Sequence, residues 1–291
     1  MKDIKTETLW LMKGDCLERM KEIPDGSVDV VISDIPYGID YAAWDVTHSN
    51  TNSALLGESP SQKGKPLFKN RGKPKNGWSA SDQDRGSEFQ VFCERWFTEV
   101  ARVTKPCSPI IIMCGRQNQH RCTIAAENIG LIFKDYIVWD KQQAPFRAQN
   151  INKVLGQRGI APVEGEYRLG CLAPVAEPVL WFFKPYPIGG TITDHFISTG
   201  LGCFNSVTVK NNIISYQSRV IGKLHETEKP VGLMEILLNL FSMEGHIVLD
   251  LFMGSGTTGV AAVNLGRKFI GVEMDQGYFE IGVNRVAEAL L

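Results

Sequence analysis

No stretch of this 291-residue chain is apolar for long enough to cross a bilayer, because a spanning helix needs roughly 20 apolar residues in a row. The opening segment MKDIKTETLWLMKGD likewise lacks the apolar stretch of a secretory signal. An excess of one charge is also missing: 31 Lys and Arg stand against 32 Asp and Glu, a formal net charge of -1. That balance leaves a basic face possible, since acidic surface elsewhere can offset it. The seven cysteines are scattered and include no CxxC pair. Their spacing speaks against a metal site, and their odd number in so long a chain against a disulfide framework. The expectation is a soluble, cytoplasmic protein with reduced thiols and no metal. No internal repeat is visible.

What is present is an alternation of short apolar runs and amphipathic segments at both ends. Thr8 to Met12 and Val28 to Ile32 read as strands, with a short helix over Leu17 to Ile23 and a turn at Pro24-Asp25-Gly26 between them. Toward the C-terminus Pro230 opens a helix whose Leu233, Ile236, Leu237, Leu240 and Phe241 share one face. A strand over Ile247 to Leu251, a helix over Thr257 to Leu265, a strand over Phe269 to Val272 and a closing helix through Phe279, Val283, Val286 and Leu290 follow. Strand–helix–strand alternation of this kind predicts a mostly parallel sheet covered on both faces.

The middle is different. Residues 42–88 are rich in Ser, Asn, Gly, Lys and Pro, and carry Lys63, Lys65, Lys69, Arg71, Lys73 and Lys75 with no intervening acid. A loop this long is expected to be functional or disordered. Regular structure resumes with a helix through Trp96 and Val100 and a strand over Ile110 to Met113, and Tyr136 to Trp139 and Val179 to Phe183 read as two more strands. Residues 185–224 are Gly- and Asn-rich with short β-like runs such as Ser206 to Val209. Between 141 and 224, nine basic residues face four acids, so positive charge gathers there, as phosphate contacts require.

Two constellations carry chemistry. Val248 to Gly256 reads as a strand, a carboxylate (Asp250), a Gly254-Ser255-Gly256 turn and a helix start, and the next strand ends in Glu273. Glycines let a ligand approach the backbone, and the terminal acid sits where nucleotide-binding sheets hold ribose hydroxyls. No Lys follows the turn, so it is not a Walker phosphate loop. The second constellation is Asp34-Ile35-Pro36-Tyr37, directly after a buried strand. A carboxylate and the Ile35 carbonyl can accept both N–H groups of a conjugated amine, whose lone pair is otherwise delocalised. Pro36 restrains that carbonyl and removes a competing donor, and Tyr37 offers a face for stacking.

With these motifs in this order, the chain resembles the amino-directed DNA methyltransferases of β-type arrangement, in which the catalytic tetrapeptide precedes the cofactor turn. The resemblance rests further on Leu11 to Met20, Trp96 to Gly115, Val138 to Lys141, Ala176 to Leu180 (Ala176 replacing the usual His), and His225, Thr227, Lys229 and Pro230. It implies a doubly wound, Rossmann-like α/β sheet of seven strands, one antiparallel, circularly permuted, with inserted DNA-recognition segments. Residues 1–184 would form the catalytic part, 185–224 the target-recognition region and 225–291 the part binding S-adenosyl-L-methionine. Asp15 would contact the cofactor adenine, and Glu273 the ribose. Asp250, Phe252 and Gly254 would line the methionine side with Thr227 and Lys229, beside Ser255, Gly256 and Thr257 of the turn. The partner implied is double-stranded DNA, with the base flipped from the helix and methylated directly; a homodimer is left open. Isoleucine at 35 departs from the commoner proline but keeps the carbonyl. Aspartate at 34 favours adenine N6, serine being commoner in enzymes of cytosine N4, which stands as the alternative. Cytosine C5 chemistry, suggested by Pro106-Cys107 and Glu127-Asn128, is disfavoured by the position of the cofactor turn. A catalytically silent DNA-binding homologue, or an RNA or protein substrate, would be separated by turnover assays. No nuclease centre is visible in the sequence.

Overall fold

The computed structural model describes residues 3–37, 80–144, 148–207, 209–218 and 228–291. Its strands are β1 (Ile4–Lys5), β2 (Leu9–Lys13), β3 (Val30–Asp34), β4 (Pro109–Met113), β5 (Ile132–Asp140), β6 (Gln149–Asn150), β7 (Arg168–Leu169), β8 (Ala176–Phe183), β9 (Ile213–Ser215), β10 (Ile247–Asp250) and β11 (Lys268–Glu273). The helices are α1 (Cys16–Arg19), α2 (Ala80–Val103), α3 (Gln119–Asn128), α4 (Ile151–Gln157), α5 (Ile192–Thr199), α6 (Val231–Phe241), α7 (Thr257–Asn264) and α8 (Gln276–Glu288). Nine strands form one sheet in the order β1-β2-β11-β10-β3-β4-β8-β5-β9, and β6 and β7 pair separately. From β2 to β4 the neighbours are parallel, and β8 runs antiparallel between β4 and β5.

Seven strands with one reversed were expected, and the sheet from β2 to β5 has that form. The count rises to nine because a two-residue and a three-residue strand, β1 and β9, add themselves to the edges. The permuted order is also present. The chain enters at β2 and β3 and supplies the strands between them, β11 and β10, from its C-terminus.

Strand residues alternate between two apolar layers, the signature of a sheet covered on both faces. Val31, Ile110, Ile112 and Leu249 face the layer of α1, α2 and α3, where Phe89, Trp96, Phe97 and Val100 pack. Val30, Ile32, Ile111 and Val248 face the layer of α6, α7 and α8, where Leu233, Leu237, Phe241, Phe279 and Val283 pack.

Three local expectations are corrected. Residues 80–88, read as the end of a loop, belong to α2; its polar first turns hide the period that Phe89, Cys93, Trp96 and Val100 later make plain. The short helix after β2 is split, with α1 followed by a 3-10 turn over Met20–Glu22. Ser206 and Val207 lie in a turn rather than a strand, and the Asn205 side chain accepts from Val207 N–H at 3.0 Å, competing with sheet pairing. The strand in this region comes later, at β9. The basic run at 63–75 lies outside the described residues. Among the described residues no helix is long and apolar enough to cross a membrane, and none group into three or more potential metal ligands.

Candidate active site

Parallel strands bring their C-terminal ends to one edge of the sheet, where open α/β folds bind ligands. Here that edge is acidic. Asp34 ends β3, Asp250 ends β10, Glu273 ends β11, and Asp15 follows β2 as the N-cap of α1. These four strands are neighbours, so side chains separated by up to 258 positions in sequence share one rim.

The turn after β10 is shaped by its glycines. Gly254 and Gly256 have φ of 52° and 80°, values that side chains rarely adopt. A Cβ at Gly256 would stand 2.9 Å from Gly282 Cα on α8, so the turn and α8 touch backbone to backbone. Glu273 closes the turn from the next strand, its Oε2 accepting from Gly254 N–H at 2.9 Å and its Oε1 from Asp275 N–H at 2.6 Å. Burial raises the Glu273 carboxyl above its usual range, against those hydrogen bonds. Ser255 and Thr257 are buried, and Arg285 of α8 donates to the Ser255 carbonyl (2.8 Å), Ser255 Oγ (3.0 Å) and Thr257 Oγ1 (3.3 Å). The other guanidinium nitrogen of Arg285 pairs with the buried Glu228 at 2.8 Å. Phe252 packs its ring edge-on against Trp96, 6.2 Å between centroids.

Asp250 is 2% exposed, and its Oδ1 accepts from Ser33 Oγ at 2.7 Å and Phe252 N–H at 3.1 Å. No basic side chain among the described residues forms an ion pair with it. Burial without a counter-cation pushes its carboxyl up to about 6, despite the hydroxyls of Ser33 and Thr258. Ser33 immediately precedes Asp34, so this one hydrogen bond joins the two constellations.

Around Asp34 the side chains form a closed network. Asp34 Oδ2 accepts from Lys229 Nζ at 2.6 Å, and Asp34 Oδ1 lies 3.0 Å from the Tyr37 hydroxyl. That hydroxyl is also 2.9 Å from Glu177 Oε1 on β8 and 3.0 Å from Lys229 Nζ. Lys141, just beyond β5, stands 3.6 Å from Glu177 Oε2. Burial raises the Asp34 carboxyl although Lys229 opposes the shift, and burial with the two neighbouring carboxylates drives the Tyr37 hydroxyl well up. Burial would lower Lys229, but Asp34 and Glu177 outweigh it and the ammonium is held above its ordinary value. Glu177 falls below the usual range because Lys229 and Lys141 overcome its burial. The Tyr37 backbone is fixed by Asn118, whose side-chain N–H donates to the Tyr37 carbonyl at 2.7 Å, and Ile35 N–H donates to the Met113 carbonyl at 3.1 Å.

Asp15, Asp34, Ile35, Pro36, Tyr37, Asp250, Phe252, Gly254, Ser255, Gly256, Thr257 and Glu273 thus gather along one edge. Lys229 joins them through Asp34 and Tyr37 rather than through Asp250. Asp15 Oδ1 caps α1 by accepting from Leu17 N–H at 2.8 Å. Thr227 and His225 lie outside the described residues. Sequence reasoning did not single out Ser33, Lys141, Glu177, Glu228 or Arg285 as site residues. Glu177 had a visible signal, a charge within the apolar run EPVLWFF, whereas Arg285 on an ordinary amphipathic helix had none. Cys107 sits before the N-terminal end of β4, opposite the edge holding Asp34, and burial raises its thiol, so it is not a nucleophile of this site.

Residues 28–284 match the N6/N4 family of DNA methylases. The Type II methyltransferase M.HindIII of Haemophilus influenzae (strain ATCC 51907 / DSM 11121 / KW20 / Rd) is 43% identical, over 95% of this chain and 94% of that one. A crystal structure of an M1.HpyAVI–SAM complex superposes with a TM-score of 0.59 at 21% identity, covering 96% of this chain and 98% of the other. PvuII DNA methyltransferase, described as cytosine-N4-specific, gives 0.61 at 16% identity, covering 97% and 87%. Those two structures share the fold. A match across most of the chain, joined to a close full-length relative, makes this protein a member of the N6/N4 DNA methylase family.

Proposed function

We propose that this protein transfers the methyl group of S-adenosyl-L-methionine to the N6 amino group of adenine in duplex DNA. The observation that carries the reading is the Ser33–Asp250 hydrogen bond of 2.7 Å, because it ties the amine-binding carboxylate strand to the cofactor strand. The chemistry of the edge fits a cationic cofactor. Asp250 is a buried carboxylate without a basic partner among the described residues, and a ligand ammonium would supply one. The turn at Gly254 brings backbone to this edge while Gly256 lets it pack on α8, and the Glu273 carboxylate keeps lone pairs for ribose hydroxyls beyond its donors Gly254 N–H and Asp275 N–H. Asp15, at the end of the adjoining strand, would meet the adenine.

When bound, the cofactor contributes a sulfonium-activated methyl group, so no covalent protein intermediate is needed. The chain's own task is positioning. Asp34 and the Ile35 carbonyl accept the two N–H groups of the target amine, which favours a tetrahedral nitrogen with an available lone pair. Tyr37 flanks the base, and Pro36 holds the carbonyl direction. Burial raises the proton affinity of Asp34, suiting its Oδ atoms to take the proton the methylated amine gives up. Residues 185–224 and the basic run at 61–75 are the candidates for DNA contacts.

Incubation with labelled S-adenosyl-L-methionine and unmethylated plasmid DNA, followed by digestion and mass identification of nucleosides, tests the reading. N6-methyladenine is expected. N4-methylcytosine would keep the chemistry and overturn the base, and no modified base with cofactor bound would overturn both.

A further inference from the structure

The network around Asp34 contains more charge than amine binding needs. Asp34, Glu177, Lys229 and Lys141 make two anions and two cations around a single phenol. Lys229 is 6% exposed at its side chain, so its ammonium is committed to this cluster. It touches the one carboxylate that the target amine has to use.

Two facts make this a conflict. Every hydrogen bond to the ionised Asp34 is charge-assisted, but the ammonium adds the attraction of a full opposite charge, so a neutral amine does not outcompete it for Asp34. An ammonium at 2.6 Å also drains negative charge from the carboxylate, making it a weaker acceptor for the amine. The same contacts hold the solution. The Tyr37 hydroxyl has one proton and stands between two carboxylates, 3.0 Å from Asp34 and 2.9 Å from Glu177. It can satisfy only one of them, and Lys229, 3.0 Å from the phenol oxygen, satisfies the other. The cluster therefore has two complementary arrangements. In the observed one Lys229 is on Asp34, which leaves the phenol proton for Glu177. In the other Lys229 is on Glu177 and the phenol donates to Asp34.

Resting on the methyltransferase reading above, we propose that Lys229 is a placeholder for the target amine and that Glu177 is the carboxylate that receives it when the base enters. Glu177 is then a positioning residue, acting through Lys229 and Tyr37. Transfer of the ammonium restores the full negative charge of Asp34 at the moment the amine needs it. Lys141 keeps Glu177 ionised and ready, consistent with its lowered proton affinity.

The test is a suppressor experiment on the full chain, using labelled S-adenosyl-L-methionine and unmethylated plasmid DNA. Glu177→Gln strands Lys229 on Asp34, so kcat should fall about tenfold while cofactor affinity stays within about twofold. Adding Lys229→Met to Glu177→Gln frees Asp34, and kcat should rise again by about threefold or more. A merely structural Glu177 predicts the opposite, since a second lesion in a damaged cluster lowers activity further. A double variant no more active than Glu177→Gln overturns the proposal. So does loss of cofactor binding in Lys229→Met, which would assign the lysine to the cofactor. If Glu177→Gln does not fold, Glu177→Ala, which also removes the receiving carboxylate, replaces it, with the same gain required on adding Lys229→Met. An active wild type without suppression sinks the switch alone, whereas a wild type that methylates no base sinks the methyltransferase reading as well.

Discussion

A carboxylate buried without a cation is unstable by construction, and Asp250 is the residue where function and stability pull apart. Its carboxyl rises from 3.8 in a free chain to about 6 in the fold. The folded state therefore binds the proton more tightly than the unfolded chain between those values, and stability falls as pH rises from about 4 to about 6. Above pH 6 the ionised form is held at a cost of about 3 kcal/mol. Asp250→Asn should therefore raise the melting temperature at pH 7.5 while cofactor binding is lost, as calorimetry of the two proteins would reveal. A variant less stable than wild type at that pH would refute the account. Cofactor affinity of the wild type should also drop as pH is lowered through 6, because the ligand ammonium needs the ionised carboxylate. Asp34→Ala separates the second role: turnover should vanish while isothermal titration gives a cofactor Kd within about threefold of wild type.

Elements set these residues in place, and the tightest constraint lies where the cofactor turn meets α8. Gly256 carries both a positive φ of 80° and a backbone neighbour 2.9 Å from any added Cβ. Gly245 has the same φ but nothing within 4 Å. Gly245→Ala should cost about 1 kcal/mol by strain alone. Gly256→Ala should cost more, displace the turn and weaken cofactor binding about tenfold or beyond. Denaturant melts and cofactor titrations of the two variants check this, and equal effects would mean that the contact with Gly282 is not limiting. Arg285 belongs to the same junction, because it spans from the turn to Glu228, the neighbour of Lys229.

For the whole molecule, charge distribution matters more than net charge. A chain of net charge -1 gathers five surplus positive charges within residues 141–224. DNA affinity should fall linearly in log–log form with salt, by about tenfold or more between roughly 50 and 200 mM. Fluorescence anisotropy with a labelled duplex measures the slope, and a flat response would exclude phosphate contacts as the source of affinity. The acidic edge formed by Asp15, Asp34, Asp250 and Glu273 is separate in kind, suited to a cationic cofactor rather than to phosphates.

Much of this was legible before any coordinates. The strand-turn-helix around Gly254, the acid ending β11 and the Asp34 tetrapeptide are local patterns, and local patterns are written in consecutive residues. Apolar periodicity likewise gave the parallel sheet and the helices α1, α2, α6, α7 and α8, but it missed α3, α4 and α5, and polar first turns hid the start of α2 at Ala80. Sequence alone therefore determined the fold class, the permuted order of its two halves and the candidate chemistry. It could not determine which side chains share a proton. Glu177 lies 140 positions from Tyr37, and Lys229 lies 195 from Asp34. Their meeting depends on an antiparallel β8 and on a segment arriving from the far end of the chain. Only the tertiary structure decided that, because hydrogen bonds act over about 3 Å and such proximity between distant residues exists only once the sheet is assembled.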